Sequence, residues 1–246
     1  MKDVKGKISI IMPAYNEADH IIFSIKETMR TFNEFGCDYE IVIIDDGSKD
    51  GTYEKVKEFA ADHTNLCAKR NRVNFGKGRA LKKAFRYTEG DYILFLDADL
   101  DLHPWQTQKL FDVMRKENAD VVIGSKRHPD SEINYPLSRK IISNGYYYFI
   151  RVFFGLPIRD TQTGIKLFKR KVLEDVFGKV LIKRYAFDLE LLANVHHFGY
   201  NIAEAPVKLD FKRTSGRIKP IDIWHTAKDT LAIFYRMYIL RYYDKV

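Results

Sequence analysis

Residues 97–101, Asp97-Ala98-Asp99-Leu100-Asp101, set three carboxylates at alternate positions directly after an apolar run at 92–96. A carboxylate at the end of a buried strand is costly to desolvate unless something cationic compensates. A hard divalent cation would do so, because magnesium and manganese favour oxygen ligands and keep positions open for water and phosphate oxygens. A solvated acidic turn capping a helix would use the same residues. A calcium loop does not fit, since its longer ligand series and glycine turn are missing. A second acidic turn, Asp45-Asp46-Gly47-Ser48, follows the apolar run 40–44, where two adjacent carboxylates suit a nucleobase or ribose. The alternative is a plain turn in which Gly47 supplies a positive φ. A third run, 8–12, ends in Pro13-Ala14-Tyr15-Asn16-Glu17, a rigid turn carrying an aromatic ring and a carboxylate. Three polar strand ends together point to a nucleotide pocket. The loop Asn74-Phe75-Gly76-Lys77-Gly78-Arg79-Ala80 opens a helix and suits anionic groups, with a simple close-packed turn as the alternative. It lacks the Gly-Lys-Ser/Thr of a P-loop, and Leu81 stands where a dinucleotide fingerprint needs glycine.

These groups need a scaffold that brings strand ends to one rim. Short Ile- and Val-rich runs at 8–12, 40–44, 66–68, 92–96 and 120–124 alternate with amphipathic stretches at 18–35, 52–63, 78–88 and 105–117. That alternation predicts an α/β fold, a single Rossmann-like and mostly parallel sheet flanked by helices. Ligands of such sheets bind beyond the carboxyl ends of the strands, where the acidic turns fall. Asn16 or Asp19 is a candidate cap for the first helix, and His103-Pro104 opens the fourth. Further on, an aromatic-dense segment at 143–154 stops at Gly155-Leu156-Pro157. Then come a strand at 164–168, a helix at 186–197, a strand at 201–207, a basic loop at 208–219 and an amphipathic helix at 221–243. One domain over 1–220 is expected, with 221–246 as a C-terminal amphipathic helix that joins it or docks on a membrane.

Composition narrows the partners. With 41 Lys and Arg against 33 Asp and Glu, the chain carries +8, which suits nucleic acid, a phosphorylated ligand or an anionic membrane surface. At 46% hydrophobic and 30% charged, it is no disordered chain. Cys37 and Cys67 are isolated, which argues against disulfides and a zinc site and fits a reducing compartment. The adjacent His196 and His197 point to different helix faces and make a poor metal pair. No signal-like segment and no apolar run of the roughly 20 residues needed to span a bilayer is seen, so a soluble or peripheral protein is expected.

Taken together, Pro13–Glu17, Asp45-Asp46-Gly47-Ser48, Gly76-Lys77-Gly78 and Asp97-Ala98-Asp99 resemble the family 2 glycosyltransferases of GT-A fold, and among them the enzymes that glycosylate polyprenyl phosphates. The stretches 159–168 (Arg-Asp-Thr-Gln-Thr-Gly-Ile-Lys-Leu-Phe) and 184–192 (Arg-Tyr-Ala-Phe-Asp-Leu-Glu-Leu-Leu) resemble dolichyl-phosphate beta-glucosyltransferases. Arg139-Lys140-Ile141-Ile142-Ser143 resembles the acceptor-phosphate segment of dolichyl-phosphate mannose synthases. The resemblance implies that Pro13, Tyr15, Glu17, Asp45, Asp46, Lys77, Asp97, Ala98 and Asp99 bind the nucleotide sugar, with Asp45 and Asp46 against base and ribose. It implies Mg2+ or Mn2+ on Asp97 and Asp99, and on Asp101, which stands where the mannose synthases commonly have Gln. Lys126 aligns with a phosphate-binding arginine of the relatives, and Arg127 is the alternative ligand. Arg139 and Ser143, one helical turn apart, match acceptor-phosphate ligands.

The implied reaction is inverting transfer of a hexose from a nucleoside diphosphate sugar, UDP-glucose ahead of GDP-mannose, to a polyprenyl phosphate. A phosphate monoester has a second pKa of about 6 and is already ionised at neutral pH, so no general base is needed. Orientation and charge stabilisation then carry the rate. Asp188 and Glu190 lie where hydroxyl-directed relatives keep a base; here they are expected to shape the acceptor site or pair with Arg184. Asp160, Gln162 and Glu190 are candidates for sugar or pyrophosphate contacts, with a turn network bracing the sheet as the alternative for Asp160 and Gln162. The aromatic segments 143–154 and 221–243 would dock the enzyme peripherally on the cytosolic face of a membrane, with core packing as the alternative. A homo-oligomer or a membrane-protein partner would strengthen that docking. The basic residues Lys212, Arg213, Arg217 and Lys219 are a solvated face or a lid. A family 2 enzyme acting on a glycan or glycolipid hydroxyl is the alternative function. A nucleic-acid-binding module is a third, and it leaves Asp97 and Asp99 unexplained; no nucleic acid is expected.

Overall fold

The structure is a computed structural model that describes residues 1, 4–133, 137–183, 186–209 and 220–245, with backbone alone over 137–144, at 146 and over 220–223. The strands are β1 (Ile8–Ala14), β2 (Tyr39–Asp45), β3 (Leu66–Arg70), β4 (Tyr92–Phe95), β5 (Val121–Ser125), β6 (Lys166–Lys169) and β7 (Ile202–Pro206). The helices are α1 (Ile21–Phe35), α2 (Thr52–Ala60), α3 (Lys77–Phe85), α4 (Thr107–Lys116), α5 (Leu137–Phe154), α6 (Arg170–Val176), α7 (Phe187–His197) and α8 (Pro220–Phe234).

Alternation along each strand sends side chains to opposite faces, and both faces here are apolar. Ile11, Val42, Ile44, Ile93, Phe95, Ile123 and Phe168 meet α3, α5, α6, α7 and α8. Ile8, Ile10, Ile41, Ile43, Leu94, Val122 and Leu167 meet α1, α2 and α4. This three-layer packing explains why the strands read as continuous apolar runs. The strand order is β3-β2-β1-β4-β6-β5-β7. β1, β2, β3 and β4 are parallel, β6 runs antiparallel to both β4 and β5, and β7 is parallel to β5. Strand order turns at β1, with β2 on one side and β4 on the other, so their carboxyl ends flank a switch-point crevice.

The mostly parallel sheet is as expected, while the reversed β6 is not legible from periodicity, which carries no direction. Its reversal matters: an antiparallel strand presents its amino end at the rim where its parallel neighbours end. Residues 160–165 therefore reach the acidic turn that follows β4.

Several local expectations need correction. Neither Asn16 nor Asp19 caps α1; the capping position is His20, with no side-chain hydrogen bond. His103-Pro104 does open the fourth helix as expected, through a 3-10 turn at Pro104–Gln106 where the His103 ring accepts the Trp105 N–H. α6 was not anticipated. The last helix breaks at Phe234 into a π-helical turn, Tyr235–Ile239, then a left-handed Arg241 and a 3-10 turn, Tyr242–Asp244. Among the described residues no helix is long and apolar enough to cross a membrane.

Candidate active site

The turns after β1 and β2 are laced together. Asn16 N–H donates to Ser48 Oγ at 2.9 Å, Glu17 N–H to Thr52 Oγ1 at 2.8 Å and Ala18 N–H to Asp50 Oδ2 at 3.0 Å. Since Ala14 and Asp45 are register partners, this lacing sets Pro13, Tyr15 and Glu17 beside the Asp45-Asp46 turn. Asp45 is buried, accepts the Ser48 N–H and pairs with Arg70 Nε at 3.2 Å. Burial outweighs those contacts and pushes its carboxyl up. Asp46 works differently. Its Oδ1 accepts from Asn71 Nδ2 at 2.7 Å and from Phe75 N–H, while Oδ2 accepts the Gly76 N–H at 2.7 Å. It is a post for the loop ahead of α3, a bracing task that the acidic motif alone did not reveal. Gly76, at φ 98°, lets that loop turn into the helix.

The loop delivers Lys77, whose Nζ lies 2.5 Å from Asp97 Oδ1. Burial alone would lower the Lys77 pKa, but Asp97 and Asp188 outweigh it and raise it, so the ammonium persists. Asp97, Asp99, Asp101, Lys126, Gln162 and Gly164 line one cleft of about 100 Å³. A Cβ at residue 164 would stand 2.3 Å from Asp97 Oδ2, so Gly164 lets the Asp97 carboxylate keep this position. Burial, then the charges of Asp97, Asp101 and Glu17, push the Asp99 carboxyl up to about 6.

Behind this cleft lies a buried pair that sequence reasoning missed. Lys166 Nζ donates to Asp188 Oδ1 at 2.7 Å and to the Thr163 carbonyl at 2.5 Å. Burial pushes Asp188 up, yet Lys166 and Lys77 outweigh it and hold the carboxyl below its ordinary range. The available signal was a lysine inside an apolar strand, which requires a buried counter-charge. Arg184, the partner expected for Asp188, lies outside the described residues.

Other expected site residues separate. Asp160 accepts from Lys126 N–H, Gln162 N–H and Thr163 Oγ1, a turn network that positions Lys126 and Gln162 at the cleft. Glu190 is corrected from a sugar contact to a fold brace. It is fully buried; Oε2 accepts the N–H groups of Leu181 and Ile182, and Oε1 accepts from Arg236 and the Tyr243 hydroxyl. Lys126 lines the cleft, whereas the Arg127 guanidinium lies over the Tyr147 ring, 4.6 Å from its centroid. Arg139 and Ser143 fall on α5, with side chains outside the described residues; Lys212, Arg213, Arg217 and Lys219 lie outside them altogether.

A hard cation fits this rim. The donors are all oxygens, the Asp99 carboxyl is raised by burial and by its acidic neighbours, and an ammonium already sits on Asp97. Among the described residues no three His, Cys, Asp or Glu side chains converge into a full cage. Two carboxylates with water and substrate phosphate completing the shell is the usual magnesium arrangement. The Asp101 N–H donates to Asp99 Oδ1 at 3.1 Å, and Asp101 lines the same cleft.

Comparison with known proteins agrees with this geometry. A dolichyl-phosphate beta-glucosyltransferase of Trichomonas vaginalis is 33% identical over 210 residues, covering 82% of this chain and 65% of that protein, so the chain spans just under two thirds of its length. A mannosyltransferase of Pyrobaculum calidifontis, solved with GDP-Man and Mn2+, superposes with a TM-score of 0.61 at 21% identity, over 87% of this chain and 59% of that one. Glucosyl-3-phosphoglycerate synthase of Mycobacterium tuberculosis, solved with Mn2+, UDP and phosphoglyceric acid, gives 0.67 at 20% identity, over 93% and 77%. At such identities the solved structures establish the GT-A fold alone. The model described as Glycosyl transferase family 2 matches residues 9–177, more than half of the sequence, and the chain belongs to that family.

Proposed function

We propose that this glycosyltransferase moves a hexose, with inversion, from a nucleoside diphosphate sugar to a polyprenyl phosphate, with UDP-glucose as the favoured donor. The observation that carries this reading is the state of Asp188. A carboxylate held ionised by a buried lysine is a poor proton acceptor, so a hydroxyl acceptor would lack the base it needs. A phosphate acceptor arrives ionised and asks only for cations to hold it. Asp97 and Asp99 would hold Mn2+ or Mg2+, which when bound neutralises the departing diphosphate. Lys77 stands within reach of the same charge, Lys126 and Gln162 line the cleft beside it, and Asp188 keeps the Lys166 ammonium fixed behind it. The glucosyl preference rests on the Trichomonas relative and on the 159–168 motif.

The test is a panel of radiolabelled nucleotide sugars incubated with short-chain polyprenyl phosphate and manganese or magnesium, reading lipid-extractable label. UDP-glucose should give the strongest signal, and Arg139→Ala should lose at least about a hundredfold in turnover. If Arg139→Ala retains turnover while Asp188→Asn abolishes it, the hydroxyl-acceptor reading replaces this one.

Peripheral membrane docking belongs to the same proposal. Phe153 on α5 stacks edge-on with Phe234 of α8 at 5.4 Å, so the two helices share a surface. On these helices and the π-helical turn that follows α8, Tyr148, Val152, Trp224, Leu231, Tyr235 and Ile239 are all more than half exposed. Ile150, Phe154, Ile233, Met237 and Tyr243 point the other way, into the core. Deleting 221–246 would therefore strip the core, and single exposed positions make the better probe. Trp224→Ala and Ile239→Glu should each weaken co-sedimentation with anionic liposomes about tenfold, the cost of losing one apolar anchor. Unchanged pelleting would remove this face from the proposal.

A further inference from the structure

Lys77 occupies an unusual place for a phosphate ligand. Its ammonium is seated on Asp97 Oδ1 at 2.5 Å, one of the two carboxylates that fit the cation, and it is about a third exposed. The loop that carries it is fixed at both ends. Asp46 anchors Phe75 and Gly76, and the Gly78 N–H donates to the Lys183 carbonyl at 3.0 Å. The backbone of the loop is thus braced while the four-carbon stem of Lys77 keeps its freedom. Two cations cannot share one carboxylate oxygen without strong repulsion, so the ammonium and a divalent ion compete for Asp97.

We propose that Lys77 is a built-in counter-ion that keeps Asp97 neutralised in the donor-free enzyme and leaves it for the diphosphate when the nucleotide binds. The idea rests on the cation assignment to Asp97 and Asp99. Its consequence is coupling. While Lys77 remains on Asp97, divalent metal alone binds weakly; once a diphosphate draws the ammonium away, Asp97 is released to the metal. By reciprocity the metal tightens the nucleotide by the same factor. The donor therefore enters as its metal complex, and the enzyme does not fill its acidic rim with a free ion.

The test is Mn2+ binding to the full-length chain, followed by titration calorimetry and by the electron paramagnetic resonance signal of free Mn2+, with and without UDP. In the wild-type protein UDP should tighten Mn2+ binding at least about tenfold. In Lys77→Met, and in Lys77→Gln as a second variant with a different side-chain polarity, Mn2+ alone should bind about tenfold tighter than in wild type. The enhancement by UDP should shrink by a similar factor, and UDP itself should bind more weakly. Equal or weaker binding of Mn2+ alone to both folded variants overturns the proposal. Mn2+ binding that survives Asp97→Asn and Asp99→Asn unchanged overturns the cation assignment beneath it, a different failure that these same titrations separate.

Discussion

Asp97→Asn should lower hexose transfer at least about a thousandfold, roughly 4 kcal/mol of transition-state stabilisation, while leaving the melting temperature within a degree or two. The change keeps the shape of the side chain beside Gly164 and removes only the charge. Asp97 lies on an irregular turn past the end of β4 and is partly exposed, so little of the core depends on it. Asp99→Asn should behave similarly. Initial rates measured by lipid-extractable label, together with thermal melts of the same samples, check both halves. Full turnover in the presence of excess chelator would end the assignment of a divalent ion to this rim.

Lys166→Ala is the converse case, where stability pays first. The lysine is almost wholly buried, and its removal strands the Asp188 carboxylate without its nearest cation. Breaking a buried pair from one side costs about 3–5 kcal/mol, which for a chain of this size lowers the melting point by on the order of 10 °C. The pH dependence follows from the direction of the Asp188 shift. In the wild-type protein its folded pKa lies below the unfolded value of about 3.9, so its contribution is present above about pH 4 and lost as pH falls through the folded pKa. Without Lys166 the largest of the charges that favour the ionised carboxyl is gone, and burial works against it with less opposition. The stability deficit should therefore be large at pH 7 and shrink towards pH 4. Lys166→Met combined with Asp188→Asn should recover most of the loss, since neither charge is then left unpaired. A single variant that unfolds within 1 kcal/mol of wild type at pH 7 would show that the pair does not support the fold.

Strand ends were readable because each buried strand is an uninterrupted apolar run, and the carboxylates that interrupt it stand out against the cost of burying them. The rim formed by Asp45, Asp46, Asp97 and Asp99 follows from that contrast and from the parallel order of β1, β2 and β4. The division of labour along the rim did not follow from it. Asp45 and Asp46 are adjacent and identical in type, yet one pairs with Arg70 and the other ties down the loop of Lys77. Glu190 lies two residues from Asp188 and faces the C-terminal turn, where Tyr243 and Arg236 meet it. Residues two apart on a helix do not share a face, and which face meets which neighbour depends on how α7 packs against the chain's last turns.

Local chemistry thus settled which residues can bear charge at a strand end, because desolvation acts on each group where it stands, whatever the rest of the chain does. Partnership is a different quantity. Lys77 with Asp97, Lys166 with Asp188 and Glu190 with Tyr243 are separated by 20, 22 and 53 positions. Only the reversal of β6 and the packing of helices across one sheet face bring such groups within a hydrogen bond, and no periodic pattern along the chain encodes either.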